Sequence, residues 1–303
     1  MNVPVLLITF NRPDTTIKVF EKIREAKPTK LFVFSDGPRK DVDGEERLVN
    51  ECRALIGDAE TNWGCDITYL FNSSNMGCAN GVNYAISKAF ETVDQLIILE
   101  DDIIPDPSFF NFCKVMLENY KESEDVMQIA GTRWNDEYSI GADDHFFSTI
   151  GHIWGWATWK RAWNKYDFET TDLALFKKQD FLLKLFGDPK ISTFWHLAFD
   201  EVHGVDYKKT WDYQWQYTLF KEGGLSVVPN VNLTSNIGLE GVHSDGRKTE
   251  HHFRPLHRWI NTGSNVEVRP NLDFDKYHIK KRFMAKPPMK TRIANRLKRL
   301  IKS

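Results

Sequence analysis

Four short apolar runs in the first hundred residues each stop abruptly at polar residues, and that alternation leaves few architectures open. Val3 to Phe10 is an apolar run closed by Asn11-Arg12-Pro13, the pattern of a strand buried on both faces. Leu31 to Ser35 ends at Asp36-Gly37-Pro38, a turn signal. Asp66 to Phe71 is followed by Asn72 through Asn75-Met76-Gly77, and Gln95 to Leu99 runs into Glu100-Asp101-Asp102. Between the runs lie helical patterns: Pro13 to about Ala26 with Ile17, Phe20 and Ile23 in step, a polar stretch to about Ile56, and Ala79 to Phe90. This β-α-β-α-β-α-β order predicts an α/β fold with a mostly parallel sheet flanked by helices. Ligands of such sheets bind outside the carboxyl ends of the strands, where all four polar clusters fall.

Beyond residue 103 the pattern changes. Pro107 to about Lys121 reads as a helix and Val126 to Ala130 as a strand. A tryptophan-rich segment follows, with Trp134, Trp154, Trp156, Trp159, Trp163, Trp195, Trp211 and Trp215. No linker separates it, so this half is expected on the same sheet.

The chain has 303 residues, 41% of them hydrophobic, enough for a large core. A formal charge of −2 excludes a chain-wide nucleic-acid-binding role. The four cysteines show no zinc spacing and read as free thiols of a reducing, cytoplasmic compartment. The first apolar run lacks a basic n-region and a cleavage site, which favours a core strand over a leader, and no window reaches the roughly 20 apolar residues of a membrane span. From Lys280 onward there are ten Lys or Arg and no acid. Ile293, Leu297, Leu300 and Ile301 recur there at helical spacing, as in a helix lying on an anionic membrane; the plain alternative is a packed or frayed end.

Three consecutive acids after a buried strand demand a positive partner. Mg²⁺ or Mn²⁺ suits them, since these ions take one or two carboxylates and fill the rest of the shell with water and substrate phosphates. The plain alternative is that the acids cap the helix beginning near Pro107. Asp36 is placed either to bond a nucleobase or ribose or to make an Asx turn. Arg12 suits a phosphate, or is a solvated surface residue. Asp212 stands in the first turn of a helix that Gly223-Gly224 ends; it is a candidate general base or an acid favoured there by the helix dipole. The block Gly151 to Trp159 offers rings to sugar faces, with most of its tryptophans expected in the core.

These motifs, taken in order, resemble one family. VPVLLITFNRP, Ser35-Asp36, LIILEDDIIPDPSFFNF, Trp134-Asn135-Asp136, Gly155-Trp156 and Thr210-Trp211-Asp212 are similar to the motifs of GT-A-fold glycosyltransferases related to N-acetylglucosaminyltransferase I, from about residue 3 to about residue 243. The resemblance implies a Rossmann-like GT-A domain over 1–250. Its nucleotide-sugar-binding half covers about 1–125 and its acceptor half about 126–250, and residues 251–303 form an extension. It implies a UDP-sugar donor, UDP-N-acetylglucosamine first, and inverting transfer to the hydroxyl of a glycan or lipid-linked glycan in cell-surface glycan assembly. Arg12, Asp36 and Asn75 would serve the nucleotide, Glu100 and Asp101 the donor sugar and ribose, and Trp156 the sugar. Asp102 would ligate Mn²⁺ or Mg²⁺, Asp212 would be the base, and Asn232 to His243 would close over the donor. The animal enzymes carry a membrane anchor before the first strand, so a bacterial relative is expected. Two other classes compete. A sugar-1-phosphate nucleotidyltransferase shares the sheet, yet Asn11-Arg12-Pro13-Asp14 lacks that class's glycine-rich loop. A non-catalytic carbohydrate-binding protein leaves the acids unexplained.

Overall fold

The computed structural model describes residues 1–57, 63–203, 210–241, 244–245 and 249–284. Four parallel strands come first: β1 (Val5–Thr9), β2 (Lys30–Ser35), β3 (Asp66–Phe71) and β4 (Gln95–Glu100). They alternate with α1 (Pro13–Ala26), α2 (Glu45–Gly57) and α3 (Cys78–Ala89). Pro13 opens α1 with a φ already set for a helix, and Lys27 closes it in the left-handed conformation. The strands lie in the order β3-β2-β1-β4. In register, Thr9 faces Ser35, Ser35 faces Phe71, and Ile8 faces Glu100, so their carboxyl ends form one edge.

After a short β5 (Ile103–Pro105), α4 (Pro107–Asn119) leads to β6 (Val126–Ala130), β7 (His145–Ser148), β8 (Trp156–Trp159) and β9 (Leu225–Pro229). These extend the sheet as β4-β8-β6-β9-β7. β6 and β9 keep the direction of β4, whereas β8 and β7 run antiparallel. The expected mostly parallel, helix-flanked α/β sheet is therefore present. The antiparallel β8 is not foreshadowed by the alternation of the first hundred residues, and it is the Trp-rich block itself.

Alternation along each strand separates two cores. Val5, Leu7, Val33, Ile97 and Leu99 pack with α1, α2 and α4 through Val19, Phe20, Ile56, Phe109 and Phe112. Leu6, Phe32, Phe34, Leu96 and Ile98 pack on the other face with α3 and with α9 (Asp212–Glu222) through Val82, Ile86, Trp211, Trp215 and Leu219. A fully buried aliphatic or aromatic side chain is worth roughly 1.5–3 kcal/mol, so both faces must be covered. α5 (Lys160–Trp163) joins that second core through Ala162 and Trp163, while the other side of α9, with Tyr217 and Phe220, meets α6 (Leu173–Lys178), α7 (Phe181–Phe186) and α8 (Pro189–Val202) in part through Phe176, Phe186 and Trp195. Gly223 ends α9 in the left-handed region, as its sequence predicts.

The segment 249–284 returns across the sheet edge. Trp259 joins the first core and donates its indole N–H to the Asp144 carbonyl at 3.0 Å. α10 (Leu272–His278) and a π-helical turn (Ile279–Phe283) follow. Among the described residues no helix is long and apolar enough to cross a membrane. The basic stretch 286–303 and His243 lie outside the described residues.

Candidate functional site

The acids after β4 and the turn after β1 meet because their strands are neighbours in register. The Arg12 guanidinium reaches across, with Nη1 2.6 Å from Asp102 Oδ2 and Nη2 bonded to Asp101 Oδ1. The second oxygen of Asp101 accepts the Phe10 N–H at 3.1 Å. Burial works against the charge of Arg12, but Asp101 and Asp102 outweigh it and raise its pKa above the ordinary value. The helix cap weighed against this site belongs elsewhere: Asp106 accepts the Ser108 N–H at 2.8 Å and starts α4. Glu100, Asp101 and Asp102 do not cap it.

Arg12 does not neutralise the cluster. Burial first, then Asp102 and the other neighbouring carboxylates, pushes Glu100 up to about 8 despite Arg12. Burial likewise raises Asp101 to about 6. Asp212, from the first turn of α9, adds to the rise of Glu100 and to that of the Cys78 thiol, which stands at about 12, chiefly through burial. The fold thus brings Asp212 within electrostatic reach of the β4 acids, and Thr210 donates its hydroxyl proton to the Asp212 carboxylate.

A second chain segment closes on Asp102. β10 (Thr234–Asn236) pairs antiparallel with β5, setting Asn236 opposite Ile103. Ile237 then donates its N–H to the Asp102 carbonyl at 2.8 Å, and Asn236 Nδ2 lies 3.4 Å from Asp102 Oδ2. Gly238 is packed so closely that a Cβ there would stand 2.4 Å from Asp102 Oδ2 and 2.8 Å from Arg12 Nη1. Both residues lie inside the stretch from Asn232 to His243 that the resemblance implies would close over the donor, although nothing local in the sequence marks either one for contact with residue 102.

Three residues expected to contact ligand are engaged within the chain. Trp156 is 1% exposed, stacked on Trp211 at 5.6 Å and flanked by Trp163 and Trp215, so its ring has no face to offer a sugar. Asn232 is 0% exposed and fully engaged. Its oxygen accepts from Arg133 N and Arg254 Nη1, and its amide donates to the Thr234 and Pro255 carbonyls. Arg12 pairs with Asp101 and Asp102 and keeps 26% of its side-chain surface in solvent.

Asp36 also has a structural task. Its carboxylate accepts the N–H groups of Gly37, Met76 and Gly77 at 2.9 to 3.2 Å and so ties β2 to the turn before α3. Burial raises its pKa, and those hydrogen bonds restrain the rise. Asn75 bonds the Gly37 carbonyl at 2.9 Å in the same turn. Both residues stand at the ligand edge, and their side chains shape it.

Among the described residues no three His, Cys, Asp or Glu side chains converge as a ready-made metal cage. The donor set nevertheless fits a hard cation that uses one or two carboxylates, because Glu100, Asp101, Asp102 and Asp212 gather within electrostatic reach of one another around a single guanidinium, Arg12. Two concavities, of about 570 and 300 Å³, lie along α3 instead, sharing Asn83 and Ser87 and reaching from Met76 to Tyr166. They are not over the carboxylates. A site completed by substrate need not be a deep hollow beforehand.

No protein-family model and no curated protein matches the chain. Among solved structures it is similar to S. aureus TarS 1-349, with 9% identity over 77% of this chain and 59% of that chain and a TM-score of 0.39. HddC from Yersinia pseudotuberculosis gives 11% identity over 42% of this chain and 57% of that one, with a TM-score of 0.29. A UDP-glucose pyrophosphorylase complexed with UDP-glucose gives 10% identity over 55% and 79%, with a TM-score of 0.33. The chain thus spans less than two thirds of the first two of these structures. At such TM-scores the likenesses carry no weight for the chemistry, which rests on the site itself.

Proposed function

We propose that the chain is a metal-assisted, inverting glycosyltransferase of GT-A type that takes a nucleotide-sugar donor. The observation that carries this reading is the gathering of four carboxyl groups, Glu100, Asp101, Asp102 and Asp212, around the one guanidinium of Arg12 at the carboxyl edge of a mostly parallel sheet. Such an edge is where a sheet of this kind binds a nucleotide, and a diphosphate arriving with a divalent cation supplies the missing positive charge. Asp102, helped by its neighbours, would hold Mn²⁺ or Mg²⁺. When bound, the ion stabilises negative charge on a departing diphosphate.

The chain's own residues do the rest. Arg12 keeps Asp101 and Asp102 apart in charge and fixed in direction. Asp36 and Asn75 hold the turn that borders the nucleotide. Asp212, anchored by Thr210, takes the proton from the acceptor hydroxyl as it attacks the anomeric carbon. Direct attack from the face opposite the leaving group inverts the configuration.

The deciding experiment is a screen of UDP-, GDP- and dTDP-sugars, with UDP-N-acetylglucosamine first, for Mn²⁺-dependent hydrolysis and thermal stabilisation. A donor at a hundred times its Kd adds about 2.7 kcal/mol of apparent stability. Pyrophosphate release from UTP and a sugar 1-phosphate would instead make the protein a nucleotidyltransferase. Sugar binding indifferent to nucleotide and metal would make it a lectin.

A further inference from the structure

Along the ligand edge of the sheet, tryptophans follow the acids of β4. Trp154 lies two residues before β8, the strand next to β4, and Trp134 four residues after β6, the next strand over. The Trp154 carbonyl is fixed by the hydroxyls of Thr132 and Thr234, at 2.9 and 2.6 Å. The two rings lie 5.2 Å apart, and unlike Trp156, Trp211 and Trp215 they keep part of their surface in solvent.

Cations gather over these rings from distant parts of the chain. The guanidinium carbons of Arg254 and Arg282 lie 4.5 and 4.8 Å from the centre of the Trp134 ring. Their side chains are only 8% and 16% exposed. The acids that pair with them, Asp136 and Glu250, are 50% and 76% exposed, and such solvent-facing partners hold weakly. Arg282 Nη1 also lies 3.4 Å from His251 Nδ1. Buried polar atoms remain without partners: Arg282 Nε, and Nε2 of the almost fully buried His278, whose ring lies stacked 6.4 Å from Trp134. Buried groups of this kind are normally satisfied, so each marks an interaction that the described residues do not make.

We propose that Trp134, Trp154, His251, Arg254, Arg282 and His278 form a subsite for an acceptor sugar that carries an oxyanion, phosphoryl or carboxylate. Indole faces suit the apolar face of a sugar ring, and a guanidinium takes an oxyanion through two parallel hydrogen bonds. The neighbouring β4 acids have the opposite sign. An acceptor's anion is therefore drawn to the arginines and repelled by the carboxylates, which fixes the end that faces Asp212. The word acceptor rests on the glycosyl-transfer reading; the oxyanion site does not.

The test uses the full chain in EDTA, without donor, titrated at low salt and followed by tryptophan fluorescence. The probes are glucose 1-phosphate, methyl β-glucuronide and the neutral methyl β-glucoside. At least tenfold tighter binding of one or both anionic probes is expected. That preference is lost in Arg282→Gln and weakened by salt, and the fluorescence change is lost in Trp134→Phe. Glucose 1-phosphate binding alone identifies a phosphoryl-bearing acceptor, and glucuronide binding alone a carboxylate-bearing one. No binding of either anion, equal binding of the glucoside, or undiminished anion binding by a folded Arg282→Gln overturns the proposal. Because metal, donor and turnover are absent, that failure is separate from failure of the glycosyl-transfer reading.

Discussion

Arg12 Nη1 stands 2.6 Å from Asp102 Oδ2, so the residue expected to greet a substrate phosphate is held by the residue expected to hold the metal. The chain supplies part of the counter-charge that Glu100-Asp101-Asp102 demands, and Glu100, pushed up to about 8 first by burial and then by its neighbouring carboxylates, holds a proton instead. The expected consequences of this balance, and of the packing around it, can be measured separately.

Replacing Arg12 by Met leaves two carboxylates without their partner. Breaking a buried pair costs about 3–5 kcal/mol. Because Arg12 keeps 26% of its side-chain surface in solvent, about 2–3 kcal/mol is expected, read from urea unfolding at pH 7. Millimolar Mn²⁺ should then raise the melting temperature of the variant more than that of the wild type. Equal shifts would show that the cation goes elsewhere.

Glu100, at about 8 against an ordinary 4.5, holds a proton in the folded state that the unfolded chain has released. Stability from this group is full at low pH and is lost as pH rises toward about 8. Asp101, at about 6, acts in the same direction lower down. His152 and His278, kept neutral by burial, oppose the trend only below their ordinary 6.5. Metal-free protein should therefore lose urea resistance between pH 6.5 and 8, and Glu100→Gln should flatten that decline. A wild-type midpoint that rises over this interval sinks the assignment.

Gly238→Ala places a methyl group into Asp102 Oδ2 and Arg12 Nη1. The ion pair must open or the β10 segment must lift. A loss of about 1–3 kcal/mol is expected, as for overpacking elsewhere, together with weaker Mn²⁺-dependent binding of UDP in calorimetry. A variant with native stability and affinity would mean that this segment yields freely.

Asn232→Ala removes four hydrogen bonds at a fully buried position and strands the Arg133 N–H and the Thr234 and Pro255 carbonyls. Unsatisfied buried groups cost about 1–3 kcal/mol each. A large fall in the denaturation midpoint is expected. If instead stability holds and only donor affinity drops, Asn232 meets the donor after all.

Asp212→Asn keeps the shape of the carboxylate and removes its basicity. Transfer to acceptor should fall about 10²–10⁴-fold while UDP-sugar binding and the melting temperature stay within error. Undiminished turnover would remove Asp212 from the mechanism.

The parallel half of the fold is legible from residue order because its signals are local. Val5–Thr9, Lys30–Ser35, Asp66–Phe71 and Gln95–Glu100 are apolar runs broken by turn residues, and Pro13 and Gly223 mark helix ends by their own backbone preferences. β7, β8 and β9 are not legible in this way. Their neighbours are chosen by packing across the sheet, and Trp156 reads equally well as a sugar platform or as the core strand residue it is.

The sequence by itself determined that four polar clusters would share one edge of a parallel sheet, since a period of two and a β-α alternation leave the strand ends little choice. Tertiary structure alone decided what each polar group does there. Arg12 and Asp102 are 90 residues apart in the chain, and Asn236 and Asp102 are 134 apart. Charges separated by so much chain acquire their partners only when register brings them within a few ångströms. Coulomb energy and desolvation depend on that distance and that burial, and residue order encodes neither directly.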